Sequence, residues 1–239
     1  YPLLEGQAQF DALKFGWIGS SQKETSLVLT WATTPFKTLE DIRRSEVVVG
    51  ATGAGADSIV YAQALNALVG TKMRIVTGYP GNNEVMLAME RGEVQGAPSA
   101  SIGTLMSGRP HWISERKVNL IAQIALEKHP RSFKDVPLAA DHALSPLDRQ
   151  AFELIASRQT MAYPVTAPPG VPAERLAALR SAFMATMKDA EFIADAEKAG
   201  MEVEPIGGEA LSALVARIYA SPPEAVARAR AAVAVPAKK

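Results

Sequence analysis

The chain has 239 residues, of which 48% are hydrophobic and 21% charged, a composition that supports a buried core and excludes an intrinsically disordered chain. Lys plus Arg and Asp plus Glu each number 25, so the formal net charge is zero, without the basic field that nucleic-acid binding requires. Cysteine is absent and the three histidines are scattered, which excludes disulfides and thiolate catalysis and argues against a metal site.

The segment from Tyr1 to Gly6 has no initiator Met, basic region or apolar run, so we expect no signal peptide within this chain. Apolar stretches are interrupted well before the ~20 residues needed to cross a bilayer. We therefore expect no membrane-inserted segment.

Strand-like and helix-like segments alternate along the first half of the chain. The pattern predicts strands at 26–31, 47–49 and 73–76, and helices at 38–44, 56–69, 82–91 and 99–107. Thr38 and Asp41 are spaced as a capping box, and Gly70 predicts a helix end. The β-branched run at 47–49 is typical of a central parallel strand.

The second half of the chain has fewer strands and more helices. The pattern predicts strands at 118–124 and 161–167, a rigid connector at 168–172, and helices that begin near Ser145, Pro172, Asp189, Leu211 and Ser221. Short linkers between strands and helices predict βαβ units on a parallel sheet. Ligands of such sheets bind beyond the carboxyl ends of the strands.

The glycine-rich loop at 50–58 is the strongest local signal. Its glycines allow the backbone to approach a ligand, and the following helix directs its N–H groups and positive dipole end to the same place. We predict a cradle for a carboxylate or phosphate; a strand–helix turn without a ligand is the alternative. The assigned contacts are Thr52, Gly53, Ala54, Gly55 and Ala56.

Nucleotide binding by this loop fits the spacing poorly. A Walker A loop needs Gly-Lys-Ser/Thr where this chain has Gly55-Ala56-Asp57. In a dinucleotide fingerprint, Ser58 would occupy the third glycine position, and the next strand ends at 77–78 without an acidic residue. A nucleotide-binding α/β enzyme is therefore the alternative hypothesis.

Two further loops are candidate ligand contacts. The first is a turn before a helix and contains Tyr79, Gly81 and Asn82. Instead of contacting a ligand, these residues could form the turn and pack against the fold. Ser99 and Ser101 follow a short strand, where helix capping is the alternative.

The remaining polar residues do not indicate an enzyme. Residues 129–137, which contain His129 and Asp135, are interpreted as a solvated loop rather than a buried acid–base pair. The carboxylates do not form a convergent pair in the sequence, so we predict neither a catalytic residue nor a metal or organic cofactor.

Five passages follow one another in order along nearly the whole chain, at 15–20, 34–41, 50–57, 78–81 with 92–94, and 167–176 with 188–192. They include Gly-Ala-Thr-Gly-Ala-Gly-Ala-Asp at 50–57 and Gly-Tyr-Pro-Gly at 78–81. In these passages the chain resembles the extracytoplasmic solute receptors of tripartite tricarboxylate transporters, the TctC or Bug family.

This resemblance implies an α/β, two-lobed periplasmic binding protein of type II (a Venus flytrap). Lobe one would comprise residues 1–30 and 160–239, and lobe two residues 31–159. It further implies a periplasmic receptor that captures a small carboxylate by domain closure and delivers it to membrane permease subunits. A sensor paralogue without a transport role is a further alternative.

The chain departs from the family in one respect. Mature members begin with a turn of the type Pro-x-Gly-Gly-x-x-Asp and a loop of the type Asn-x-x-Gly-Ala-Gly, which hold one side of the ligand. Neither pattern occurs here. We therefore expect the N-terminal part of lobe one to be missing from this chain.

Overall fold

The computed structural model describes residues 2–5 and 8–234. Tyr1 and Gly6, the ends of the segment considered for a signal peptide, lie outside the described residues. The strands are β1 Gly16–Ser20, β2 Ser26–Trp31, β3 Val47–Gly50, β4 Met73–Val76, β5 Gly96–Ser101, β6 Val118–Ile124, β7 Pro164–Ala167 and β8 Ile206–Gly207. The α-helices are α1 Pro2–Glu5, α2 Leu39–Arg44, α3 Asp57–Ala64, α4 Asn82–Glu90, α5 Ile102–Gly108, α6 Pro110–Ser114, α7 Pro146–Ala156, α8 Ala173–Thr186, α9 Ala190–Lys198, α10 Gly208–Tyr219 and α11 Pro223–Val233.

The strands form two sheets. The larger sheet has the order β4-β3-β5-β2-β6, in which β3 is parallel to β4 and β5 while β2 is antiparallel to β5 and β6. The smaller sheet has the order β7-β1-β8, with both neighbours antiparallel to β1. The prediction of a parallel sheet was therefore wrong for β2. This strand follows β1 of the smaller sheet directly and runs through the larger sheet in the direction opposite to β5 and β6.

Both faces of the larger sheet are covered. Val28 on β2 packs in a cluster with Leu65 and Phe152, whereas its neighbours Leu27 and Leu29 pack in a cluster with Met89 and Trp112. Successive strand residues point to opposite faces, so β2 contributes to both cores. This explains why the three successive residues at 27–29 are all apolar.

The helix caps follow the sequence closely. Thr38 and Asp41 form the predicted capping box, and the side chain of Asp189 accepts the N–H of Phe192. The helix predicted at 56–69 is α3 followed by a π-helical turn at Leu65–Val69, and it ends at Gly70 with φ 79°. At the last helix the prediction was wrong, because Pro222 rather than Ser221 is the N-cap.

The predicted helix at 99–107 was wrong in its first three residues. Residues 96–101 form β5 between β3 and β2, and α5 begins only at Ile102. A Cβ at Gly96 would lie 2.5 Å from the carbonyl oxygen of Leu29, so this strand needs a residue without a side chain. The mispredicted residues 99–101 are Ser, Ala and Ser, which are not among the residue types enriched in strands, so the strand is decided by non-local pairing.

The smaller sheet was not fully predicted. The strand expected at 161–167 is a 3₁₀ turn at Ser157–Met161 followed by β7. Strand β1 pairs with both β7 and β8 and carries α8 and α10. Its Trp17 lies in a small core with Leu211 and Val215 of α10.

The C-terminal helix packs on the larger sheet's helices. Helix α11 lies against α7 and α3, and the guanidinium of Arg228 lies 2.6 Å from Asp148 on α7 and donates to the carbonyl of Ala67. Sequence analysis assigned both β2 and α11 to lobe one, whereas their contacts lie with the larger sheet. The lobe boundaries stay a prediction.

Candidate functional site

The loops singled out in the sequence meet at one edge of the larger sheet. Strands β3, β4 and β5 are parallel, so the segments after Gly50, Val76 and Ser101 leave the same edge. From β3 the chain passes to β4 on one side and then to β5 on the other. Ligands of open α/β sheets bind at such a reversal of strand order, and the glycine loop lies directly beside it.

The glycine loop is open. Gly53, Ala54 and Gly55 are exposed, and among the described residues no atom lies within 4 Å of where a Cβ would stand at Gly53 or Gly55. Gly55 has φ 76°, a left-handed conformation that favours glycine. The space above the loop can therefore admit a ligand.

Two of the predicted donors are engaged within the loop. The N–H of Thr52 donates to the hydroxyl of Ser58 at 3.1 Å, and the two hydroxyls lie 3.2 Å apart. The N–H of Ala56 donates to the carbonyl of Gly53 at 3.1 Å. These bonds shape the loop, so Thr52 and Ala56 act as loop-forming residues rather than as backbone donors to a ligand.

An ion pair at the end of the loop was missed by sequence analysis. Asp57, the first residue of α3, lies 2.6 Å from the guanidinium of Arg158, and the two side chains are 42% and 36% exposed. Arg158 belongs to the 3₁₀ turn that connects α7 to β7. The two residues are 101 positions apart in sequence, and their pairing depends on how that turn folds back on the sheet.

The second loop is tied to the first. The N–H groups of Gly78 and Tyr79 donate to the carbonyls of Thr52 and Ala51 at 3.3 and 3.4 Å. The Tyr79 ring packs beside the end of β3, since a Cβ at Gly50 would lie 3.2 Å from its Cε2. These contacts favour the packing interpretation of Tyr79.

The start of α4 stays accessible. Gly81 is its N-cap, and Asn82 is exposed at its first position. Asn82 and Ser101 line a small cavity of about 20 Å³ together with Arg109. The structure thus brings two of the predicted contacts together next to a guanidinium.

The two serines of β5 have different surroundings. Ser99 is buried within the strand. The Ser101 hydroxyl donates to Glu24 at 2.9 Å and accepts the N–H of Thr104 at 3.3 Å, as the N-cap of α5. The capping interpretation is therefore correct for Ser101, which also faces a larger cavity.

This larger cavity, of about 360 Å³, lies between the segment that enters β2, helix α5 and the loop before β8. Ser101 is the only predicted contact that lines it, so the glycine loop and Tyr79 lie outside it. The ionisable residues in its lining are Lys23, Glu24, His129, Tyr163 and Glu202.

The cavity holds an acid–imidazole pair that sequence analysis did not predict, because the acid, Glu202, lies outside the loop at 129–137. His129 is 6% exposed, and its Nε2 lies 3.3 Å from Glu202. Its Nδ1 accepts the N–H of Ser132 at 3.0 Å, so a neutral ring places its proton on Nε2, facing the carboxylate. The interpretation of residue 129 as part of a solvated loop was wrong, because the loop carrying Glu202 covers the ring.

Glu24 lies in the same cavity. Burial raises the pKa of Glu24, while hydrogen bonds from the Ser101 hydroxyl and the Thr25 N–H oppose that shift, and the neighbouring Glu202 raises the pKa further.

Within the described residues, no group of three or more His, Asp or Glu side chains is placed to hold a metal ion. No described helix is long and apolar enough to cross a membrane.

The fold of this chain is similar to the folds of solved periplasmic solute-binding proteins. A TctC solute-binding protein from Polaromonas has 18% identity and TM-score 0.68, over 92% of this chain and 71% of that chain. The periplasmic binding protein BugD has 19% identity and TM-score 0.58, over 91% and 69%. MatC from Rhodopseudomonas palustris, with bound malate, has 19% identity and TM-score 0.59, over 97% and 74%.

These similarities establish that the chain has the fold of the TctC and Bug receptors, as the sequence resemblance implied. The chain spans about 70% of the length of these structures, in line with the expectation that part of the fold is missing from it. No protein-family model and no curated protein sequence matches the chain.

Proposed function

We propose that this protein is a periplasmic receptor that binds a small organic carboxylate and delivers it to the permease subunits of a tripartite tricarboxylate transporter. The main support for this proposal is the open glycine loop at the reversal of strand order in the larger sheet. The fold around it is similar to that of MatC, which was solved with bound malate. Exposed backbone at Gly53 and Ala54, next to the N-terminus of α3, suits a carboxylate oxygen. A binding role needs neither catalytic residues nor a cofactor.

Domain closure is the proposed mechanism. The two chain segments that join the sheets lie side by side: the N–H of Glu24 donates to the carbonyl of Gln159 at 2.7 Å, and the Gln159 amide donates to the Ser26 hydroxyl at 2.8 Å. Bending at these two segments, and at residues 220–222 between α10 and α11, would move the smaller sheet over the glycine loop. The proposed lobes are the smaller sheet with α8 to α10, and the larger sheet with its helices and α11.

The proposal predicts saturable carboxylate binding that depends on the glycine loop. Isothermal titration calorimetry with malate, succinate and adipate should give a dissociation constant for at least one of them. Gly55→Val should abolish that binding, because a branched side chain is strained at φ 76° and would fill the ligand space.

Gly92→Val is the matched control. Gly92 has φ 75° and, like Gly55, no described atom within 4 Å of its Cβ position, but it follows α4 at the far edge of the sheet. It carries the same backbone strain without touching the site. If the Gly55→Val variant binds the carboxylate as tightly as the wild type, the site assignment is wrong. A nucleotide bound to the protein in native mass spectra would instead favour the alternative hypothesis of a nucleotide-binding enzyme.

A further inference from the structure

The loop at 199–205 connects α9 to β8 of the smaller sheet, but it also contacts elements of the larger sheet. A Cβ at Gly200 would lie 3.1 Å from the Cβ of Ser107 on α5, so the loop lies directly against that helix. Two residues further on, the carboxylate of Glu202 lies 3.3 Å from the Nε2 of His129, which follows β6. This loop therefore bridges the two units that domain closure would move.

His129 is held in place by the larger sheet. Its backbone N–H donates to the side-chain oxygen of Gln123 on β6 at 2.8 Å, and its Nδ1 accepts the N–H of Ser132 at 3.0 Å. These bonds orient the ring with Nε2 toward Glu202. A hydrogen bond from Nε2 to a carboxylate is stronger than one between two neutral groups, so the pair can hold the loop against the larger sheet.

This contact and the glycine loop lie at different positions along the site edge. In the order β4-β3-β5-β2-β6, three inter-strand spacings separate β6, before His129, from β3, before the glycine loop. These spacings amount to roughly 14 Å. Gly53 and Ala54 are exposed while the Glu202–His129 contact is formed. Moving the smaller sheet over the glycine loop would draw Glu202 away from His129 and break their hydrogen bond.

We infer that the loop at 199–205 is a latch, which holds the smaller sheet off the glycine loop through the Glu202–His129 hydrogen bond and opens when a ligand binds. This inference rests on the proposed function and adds a regulatory contact to it. A contact made only in the open form stabilises that form and lowers the apparent affinity for the ligand, because ligand binding must also break the contact.

The first test is calorimetry of the Glu202→Ala variant with whichever of malate, succinate and adipate binds the wild type most tightly. The affinity should rise about 3- to 10-fold, the effect of removing one hydrogen bond that opposes closure. Glu202→Gln should give a smaller gain, because its amide oxygen can still accept from Nε2. The Glu202 side chain is 43% exposed, so both variants should fold. An unchanged or weaker affinity in Glu202→Ala would overturn the latch.

Glu204→Ala is the matched control for charge. Glu204 lies in the same loop, and its carboxylate lies 3.6 Å from Lys23, in the segment between β1 and β2. This variant removes the same negative charge without releasing the contact to His129, so its affinity should equal that of the wild type. Equal gains in Glu204→Ala and Glu202→Ala would show a general electrostatic effect on an anionic ligand, and the latch would be wrong.

A second measurement follows the two sheets without a ligand. Because the chain has no cysteine, Leu87→Cys on α4 and Ala178→Cys on α8, both at exposed positions, allow two spin labels to be attached specifically. Pulsed electron spin resonance should show an additional, shorter distance when Glu202→Ala is introduced, since α4 begins at the edge that the smaller sheet would cover. Identical distance distributions with and without Glu202→Ala would overturn the latch.

The inference and the proposed function fail in different ways. If the wild type and the Glu202→Ala variant bind a carboxylate with equal affinity, the latch is wrong and the receptor function stands. If the wild type binds none of malate, succinate and adipate, the receptor function is wrong, while the spin-label distances still decide whether the loop holds the smaller sheet off the glycine loop.

Discussion

Individual residues in the large cavity depend on neighbours far away in the sequence. Glu202, which faces His129, lies 73 positions further along, and Ser101, which donates to Glu24, lies 77 positions away. The spacing of residues in the sequence does not predict such pairs. Sequence analysis therefore predicted fewer buried polar contacts than the structure contains. The ordinary turn residues around Tyr79, by contrast, behave as their local chemistry predicts.

Glu24 makes stability depend on pH. Because its pKa is raised in the folded protein, mainly by burial, the folded state holds the proton more tightly than the unfolded chain. The free energy of unfolding should therefore fall as the pH rises from the ordinary glutamate pKa, about 4.3, through the raised value. Glu24→Gln removes this titration.

Urea unfolding of wild type and the Glu24→Gln variant between pH 4 and pH 8 measures the effect. The stability of the wild type relative to the variant should decline across that window and then level off. Glu93→Gln, at a glutamate whose side chain is 51% exposed, is the control. If the difference in free energy of unfolding between the wild type and the Glu24→Gln variant stays constant with pH, the prediction is wrong.

At the scale of elements, α11 joins parts of the chain that the sequence analysis had separated. Its Arg228 donates both to Asp148, whose side chain is 9% exposed, and to the carbonyl of Ala67 at the end of the α3 segment. Ala225 and Ala229 are buried on the same helix. Small residues at this spacing allow α11 to approach α7 closely, which the hydrophobic pattern alone did not reveal.

Arg228→Met should destabilise the protein by about 1–3 kcal/mol, since it leaves a buried carboxylate without its charged donor. Chemical denaturation followed by circular dichroism measures the loss. Arg149→Met on α7 removes exposed pairs with Asp141 and Glu153 and should cost at most about 1 kcal/mol. Equal losses in the two variants would show that α11 is not held by this contact.

At the scale of the whole molecule, the two sheets are unequally covered. The larger sheet has helices on both faces, whereas α8 on the smaller sheet has no buried residue within the described part of the chain. On α8, Leu176 and Phe183 pack over glycines of β1, but Leu179 is 44% exposed. The smaller sheet therefore carries less hydrophobic stabilisation.

Hydrogen exchange should show this difference. Amides of α8 should exchange faster than those of α3 and β3, because local opening costs less where few apolar contacts are lost. Exchange of α10, whose Leu211 is fully buried, serves as the internal reference for the smaller sheet. Equally slow exchange in α8 and α3 would contradict the prediction and show that the apolar side chains of α8 are covered in solution.

The sequence by itself determined the local structure: the glycine loop, the caps at Thr38 and Asp189, most helices, and a resemblance that the fold confirms. These features depend on short-range backbone conformation and on periodic burial, which neighbouring residues encode. Tertiary structure alone decided the antiparallel insertion of β2, the packing of α11, and the pairs Asp57–Arg158 and His129–Glu202. Each of these joins residues distant in sequence, and only the closure of the intervening chain brings them into contact.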